Sequence, residues 1–212
     1  MNEQGFTPET GSARLEREKS FHDHRFATET KSPTERFYSV TAESFSHYVR
    51  QALDGICGLS FLEYGCGPGS IAFKAAHLGA LSVGIDISPI AVQHARDQAA
   101  ATGSRATFEV MDAEATSFAD ESFDRIAGSG ILHHLDLQRS FSELARLLRP
   151  GGRAVFLEPL GHNPIINAYR RRTPLLRTVD EHPLLRKDFQ IARRHFRETR
   201  LHFFHLASLA AI

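Results

Sequence analysis

Apolar positions follow two alternating rhythms along this chain. Short, nearly unbroken apolar runs such as SFLEYG (60–65) and LSVGIDI (81–87) alternate with SIAFKAAHLGA (70–80) and SPIAVQHARDQAAATG (88–103), where apolar residues recur at helical spacing. The first kind reads as strands buried on both faces, the second as helices. The helix ending at Gly79 and the helix opened by Ser88, with Pro89 at its first position and Gly103 at its end, carry their own stop and start signals. The rhythm then repeats. ATFEVMD and SFDRIAGSG read as strands, LQRSFSELARLLRPGG as a helix with Leu137, Phe141, Leu144 and Leu148 on one face, and RAVFLEP as a fifth strand. Strands alternating with helices of this length require right-handed crossovers, which predicts an α/β fold, a doubly wound and mostly parallel sheet of Rossmann-like type over about residues 58–160.

In such sheets ligands bind beyond the carboxyl ends of the strands, where strand order reverses. Five consecutive strand ends here carry chemistry: Glu63 to Gly69, Asp86, Asp112, Gly128 to His134, and Glu158 to His162. The loop EYGCGPGS places glycines at 65, 67 and 69 directly before a helix, a backbone suited to close approach and to an anion at the helix N-terminus. A dinucleotide fingerprint would need glycine at position 70, where Ser70 stands, and Pro68 removes one backbone donor. A small anion such as a carboxylate fits this loop better than a pyrophosphate. Asp86, 17 residues after Gly69, stands where an acid accepts hydrogen bonds from both hydroxyls of a ribose. The ligand is then a nucleoside with a short charged arm.

Composition narrows the class further. A chain of 212 residues with 42 % hydrophobic side chains supports one domain with a real core. The two cysteines, Cys57 and Cys66, have no framework spacing and point to a reducing, cytoplasmic setting. The N-terminus lacks the pattern of a signal peptide, and no run approaches the roughly 20 apolar residues of a membrane span. Net charge is zero but uneven: −2 over residues 1–60, −4 over 61–158 and +6 over 159–212. A basic C-terminal part favours an anionic group on a ligand.

The motifs LEYGCGPGS, VGIDIS, MDAEAT, SFDRIAGSGILHHL and LLRPGGRAVFLEP, in this order, resemble those of the class I S-adenosylmethionine-dependent methyltransferases, in particular their small-molecule branch. The resemblance covers about residues 58–160. It implies that Gly65, Gly67 and Gly69 wrap the methionine part of S-adenosylmethionine, that Glu63 lies near its amino group and that Asp86 holds the ribose. It also implies that Ile87 packs on the adenine, that Asp112 takes the adenine amino group with Ala113 beside the ring, and that Ser129 and Gly130 line the methionine end. Residues 1–57 are expected to form a helical lid, with Phe37, Val40, Phe45 and Tyr48 as apolar contacts and Tyr38 within reach of the cofactor. Residues 161–212 are expected to form a substrate cap and a last strand, LHFFHLASLAAI, without the hairpin partner usual in this family. Such an apolar edge invites self-association or completion by another subunit.

Methyl transfer from a sulfonium is an in-line displacement, so positioning and desolvation carry most of it, and a base matters only where the acceptor must lose a proton. His133, His134, Glu158 and His162 follow strands four and five and are the candidates for that role. Among 12 histidines, HDH (22–24) and HH (133–134) come nearest to ligand spacing, but neither is a zinc motif, and no metal is expected. The segment 161–189 mixes Ile165, Ile166, Leu175 and Leu176 with Arg170, Arg171, Arg172 and Arg177, interrupted by prolines at 164, 174 and 183. It suits a lid over an amphipathic, anionic small-molecule or lipid-like acceptor, with His162, Asp180, Glu181 and His182 to orient it. A nucleic-acid substrate fits the neutral overall charge poorly. Two other classes remain: a nicotinamide-dependent oxidoreductase, which would want glycine at position 70, and a methyltransferase fold that binds without transferring.

Overall fold

In the computed structural model, described over residues 11–28, 35–162, 167, 172 and 181–204, five parallel strands form one sheet in the order β3-β2-β1-β4-β5. The strands are β1 (Ser60–Tyr64), β2 (Leu81–Asp86), β3 (Thr107–Val110), β4 (Phe123–Ser129) and β5 (Leu148–Leu157). Two helices precede them, α1 (Gly11–Thr28) and α2 (Glu35–Leu53). Connections run through α3 (Ile71–His77), α4 (Pro89–Thr102) and α5 (Leu137–Leu147), and α6 (Phe189–His195) follows the sheet. Strand order reverses between β1 and β4, so their carboxyl ends flank the switch point.

Strand residues alternate faces, and each face has its own cover. Leu62, Tyr64, Ile85 and Ile126 pack against Leu137, Phe141, Leu144 and Leu147 of α5. On β1 the alternate residue Phe61 joins Tyr48, Ala52 and Leu53 of α2 and Ile71 and Ala75 of α3. Phe61, Leu62, Ile85, Ile126 and Leu144 are all fully buried, each stabilising the fold by roughly 1.5–3 kcal/mol. In β1 the register sets Leu62 beside Val83 on one side and Ile126 on the other, which aligns the three strand ends that form the site.

Helix ends explain where each element stops. Ser88 caps α4 by accepting from Ala91 N, and Gly103 closes it in the left-handed region, as the pattern predicts. Asp136 caps α5 through Gln138 N and Arg139 N. The carbonyls of Gln51, Ala52 and Asp54, at the end of α2, receive the buried guanidinium of Arg125 from β4. Helix α5 ends at Leu147, five residues before the end of LQRSFSELARLLRPGG. Leu148 already pairs with Phe123, and the register shifts before Arg125 meets Arg153, so the turn is an irregularity within β5 and Leu147 takes the buried place expected for Leu148.

Two further expectations are corrected. Tyr48 lies in the core under the sheet, not over a ligand, while Phe45 is exposed and stacks near Tyr48 and Lys74; α2 is a face of the core. Leu201 to Phe204 form no strand, because His202 and Phe204 turn their rings onto His47 of α2. Residues 205–212 lie outside the described residues, as do Ile165, Ile166, Arg170, Arg171, Leu175, Leu176, Arg177 and Asp180 and the side chains of Phe37, Tyr38 and Val40. Arg172 is exposed. After β5 the chain returns along itself, with Leu160 bridging to buried Leu184.

Candidate functional site

Beyond β1 the backbone takes positive φ at Gly65 (71°), Gly67 (53°) and Gly69 (84°), a conformation that side chains oppose. A Cβ on Gly65 would stand 2.6 Å from Ile131, so this loop runs directly against the turn that follows β4. At Gly67 the nearest atom to an added Cβ is Phe26 of α1, at 3.4 Å. Phe26 thus brings α1 against the glycine loop.

Asp86 ties the first two strand ends together. Its Oδ2 accepts from Gly67 N at 2.8 Å and its Oδ1 from Ser88 N at 2.9 Å. Burial raises its carboxyl above the usual range, against the pull of those two amides and of nearby His22. Glu63 has a different place from the one expected. Its carboxylate accepts from the amides of Ser70 (3.4 Å), Ile71 (3.2 Å) and Ala72 (2.8 Å) and from the Ser70 hydroxyl (3.1 Å). These donors fill its acceptor sites, so Glu63 shapes the loop by capping α3 and has little capacity left for an amino group. Burial also raises its carboxyl, and the same four donors oppose the rise. The Cys66 thiol, buried beside Asp86 and Glu63, is pushed far up and is no nucleophile.

At the next strand end, Asp112 accepts from Glu114 N at 2.8 Å, and Ala113 is buried with its carbonyl receiving the Tyr64 hydroxyl. Ile87 is half-buried, and Ser129 and Gly130 are exposed. Gly130, at φ 66°, donates to the Leu157 carbonyl and would bring an added Cβ to 3.7 Å from His133. His133 is buried, its Nδ1 2.7 Å from Glu158 Oε2, while Glu158 Oε1 accepts from Ile131 N and Leu132 N at 2.9 Å each. Glu158 is thereby an orienting group for His133 and the turn, and not the free base anticipated for it. His134 faces the other way, with Nδ1 3.1 Å from Glu18 Oε2 of α1. The two histidine rings lie 4.1 Å apart. His162 is not drawn in: it is exposed and accepts from Arg186 N at 3.3 Å. Glu181 and His182 are drawn in, since His182 N donates to the His133 carbonyl and Glu181 Oε1 lies 4.0 Å from His133 Nε2.

Sequence reasoning missed three contributors. Arg14 donates to the His134 carbonyl and pairs with buried Glu114, fastening α1 beside the site. Asp23 accepts from the Ser88 hydroxyl next to Asp86. The Tyr48 hydroxyl is buried without a hydrogen bond among the described residues, and burial together with the charges of Glu63 and Glu158 raises it well above the phenol range. Its body is core and not the lid contact expected, and its oxygen lies within the electrostatic reach of Glu63 and Glu158.

Residues 61–152 match the family model of a methyltransferase domain. The methyltransferase GfsG of Streptomyces halstedii is 36 % identical over 115 residues, covering 52 % of this chain and 41 % of that protein. A ubiquinone biosynthesis O-methyltransferase of Alkalilimnicola ehrlichii is 35 % identical over 119 residues, covering 55 % and 48 %. The chain therefore spans less than half the length of these curated relatives. The fold is similar to that of magnesium protoporphyrin IX methyltransferase from Synechocystis PCC 6803, solved with bound SAH, with a TM-score of 0.66, 18 % identity and coverage of 86 % of this chain and 88 % of that one. Residues 61–152, set in a parallel sheet whose switch point carries the glycine loop and Asp86, are thus similar in sequence and fold to a methyltransferase domain.

Proposed function

We propose that this protein transfers a methyl group from S-adenosylmethionine to a small-molecule acceptor. The observation that carries the reading is the pinning of the Asp86 carboxylate to Gly67 N within a loop of three positive-φ glycines at the switch point. The residues fit the cofactor in kind: Gly65, Gly67 and Gly69 give a backbone free of side chains, Gly67 and Gly130 face Phe26 and His133 at contact distance of an added Cβ, and Asp86 presents a fixed acceptor. When bound, S-adenosylmethionine supplies a methyl already activated by its sulfonium. Asp86 then holds the ribose, Gly65, Gly67 and Gly69 take the methionine arm, and Asp112, Ala113 and Ile87 meet the adenine. Ser129 and Gly130 line the methionine end, with Glu63 supporting the loop from behind. His133, oriented by Glu158, presents Nε2 as the proton acceptor where the substrate carries a proton to lose.

We read α1, within residues 1–57, as cover, 58–160 as cofactor-binding core and 161–212 as acceptor cap. The docking of α1 on the loop and of Glu181 and His182 on His133 supports that division. An amphipathic acceptor with an anionic group, paired by arginines of 170–172, follows from the basic segment 159–212. No helix among the described residues is long and apolar enough to cross a membrane. The test is calorimetry with S-adenosylmethionine and its demethylated product, followed by methyl-labelled cofactor and extracts fractionated into metabolites, lipids, protein and RNA. Micromolar binding, about −8 kcal/mol, and label in the metabolite or lipid fraction are expected. Label confined to RNA or protein, or absence of binding, overturns the reading.

A further inference from the structure

HDH (22–24) and HH (133–134) are separate on the sequence and unlike any zinc motif, yet the fold brings one histidine of each pair together. Glu18 and His22 stand four residues apart, on one face of α1. Arg14 holds that face against the turn after β4 through the His134 carbonyl and Glu114. His22 Nε2 lies 3.6 Å from Glu18 Oε2, and His134 Nδ1 lies 3.1 Å from the same oxygen. All three donor atoms fall within 4.8 Å of one another, and the two rings meet edge-on at 5.3 Å between centroids.

Two of the three pairs, at 3.6 and 3.1 Å, lie close to a known coordination spacing, and the third lies within 4.8 Å. Nitrogen and oxygen ligands at about 2.0–2.2 Å around a tetrahedral zinc stand roughly 3.3–3.6 Å apart. The Glu18, His22 and His134 side chains are only 6 %, 20 % and 11 % exposed, so the cluster is shielded, with access along His22. His134 Nδ1 is buried and makes no aligned hydrogen bond, so an ordinary hydrogen bond does not account for its position beside Glu18. Two imidazoles and one carboxylate suit zinc-class ions, whereas calcium and magnesium take oxygen ligands.

We propose that Glu18, His22 and His134 bind one divalent transition-metal ion of the zinc class, clipping α1 onto the turn after β4. Three protein ligands leave a coordination position open for water or an acceptor oxygen. His133 and Glu181, which form a second donor group with His134, lie beside it. Because α1 also carries Phe26 onto Gly67 and Asp23 onto Ser88, the ion fixes the cover over the cofactor loop.

The experiment titrates chelator-treated protein with Co2+ and then Zn2+, in the absence of S-adenosylmethionine. One equivalent of Co2+ with the visible bands of a tetrahedral site, displaced by Zn2+, is expected, together with a higher Tm for the loaded protein. His22→Ala and His134→Ala should each abolish the bands and weaken Zn2+ binding by more than the roughly 10–100-fold that loss of an outer hydrogen-bonding partner costs. His77→Ala and His94→Ala, exposed on other helices, should change nothing. His22→Ala, at a partly exposed helix position and checked by circular dichroism, carries the test if His134→Ala fails to fold. Binding of less than one equivalent, or binding that survives His22→Ala, overturns the proposal. The titration does not involve methyl transfer, so its failure leaves the methyltransferase reading intact.

Discussion

At Asp86, burial and the proposed ribose contact act in opposite directions. Burial raises its folded-state pKa above the unfolded value, so the native state holds the proton more tightly. That contribution to stability is complete below the unfolded pKa and is lost as pH rises through the folded one. Ribose hydroxyls donating to Asp86 need the ionised form instead. Affinity for S-adenosylmethionine should therefore be constant near neutrality and fall on acidification, with a midpoint above the ordinary 3.8, which calorimetry across pH will show. Asp86→Ala should weaken binding by about 1.5–3 kcal/mol and remove that midpoint; unchanged affinity in a folded variant would exclude the ribose role. At Tyr48 the hydroxyl bonds to nothing among the described residues, so Tyr48→Phe should leave Tm nearly unchanged and lower kcat/KM by about tenfold if that oxygen meets the ligand.

Elements are held by their ends, and the ends differ in how far the site depends on them. Gly103 closes α4 at φ 64° with no atom near an added Cβ, so Gly103→Ala should cost only the left-handed backbone, about 1–2 kcal/mol in denaturant unfolding, with cofactor affinity intact. Gly65 has the same kind of φ, but a Cβ added there would meet Ile131 at 2.6 Å. Gly65→Ala must displace either the loop or the turn that carries His133, and cofactor binding should be lost. Equal binding by the two variants would mean that the loop is not the cofactor cradle. On α5, Glu143 shows how a helix is locked to a neighbouring loop. Burial alone would raise its carboxyl, but hydrogen bonds from Arg146 and from Thr116 bring it below the usual range. This contribution is present above the unfolded pKa and disappears as pH falls through the folded one.

Over the whole molecule, α1 touches the glycine loop, Ser88 and the turn after β4, so the proposed cover and the sheet are joined at three points. Cofactor at a hundred times its Kd should raise stability by about 2.7 kcal/mol and slow amide exchange in α1 as well as in the strand ends. Protection confined to the strand ends would detach α1 from the site. Among the described residues β5 has no neighbour on its outer side, so self-association along this edge is the oligomer to look for by sedimentation.

The sequence by itself determined the parallel α/β core, the caps Ser88 and Gly103, and the loop of glycines before α3, because each is written within a dozen residues as period, propensity or backbone freedom. What only the tertiary structure decided is the use of the polar side chains. Glu63 and Glu158 stand at the strand ends where the pattern puts ligands, but three amides and the Ser70 hydroxyl occupy Glu63, and two amides and His133 engage Glu158. Glu18 and His22 read as an ordinary helix face, and they reach His134 only because Arg14 docks α1 across more than half the chain. Hydrophobic period says which face of a helix is buried. Which polar groups share a point in space depends on how helices distant in sequence settle on the sheet, and no local pattern encodes that.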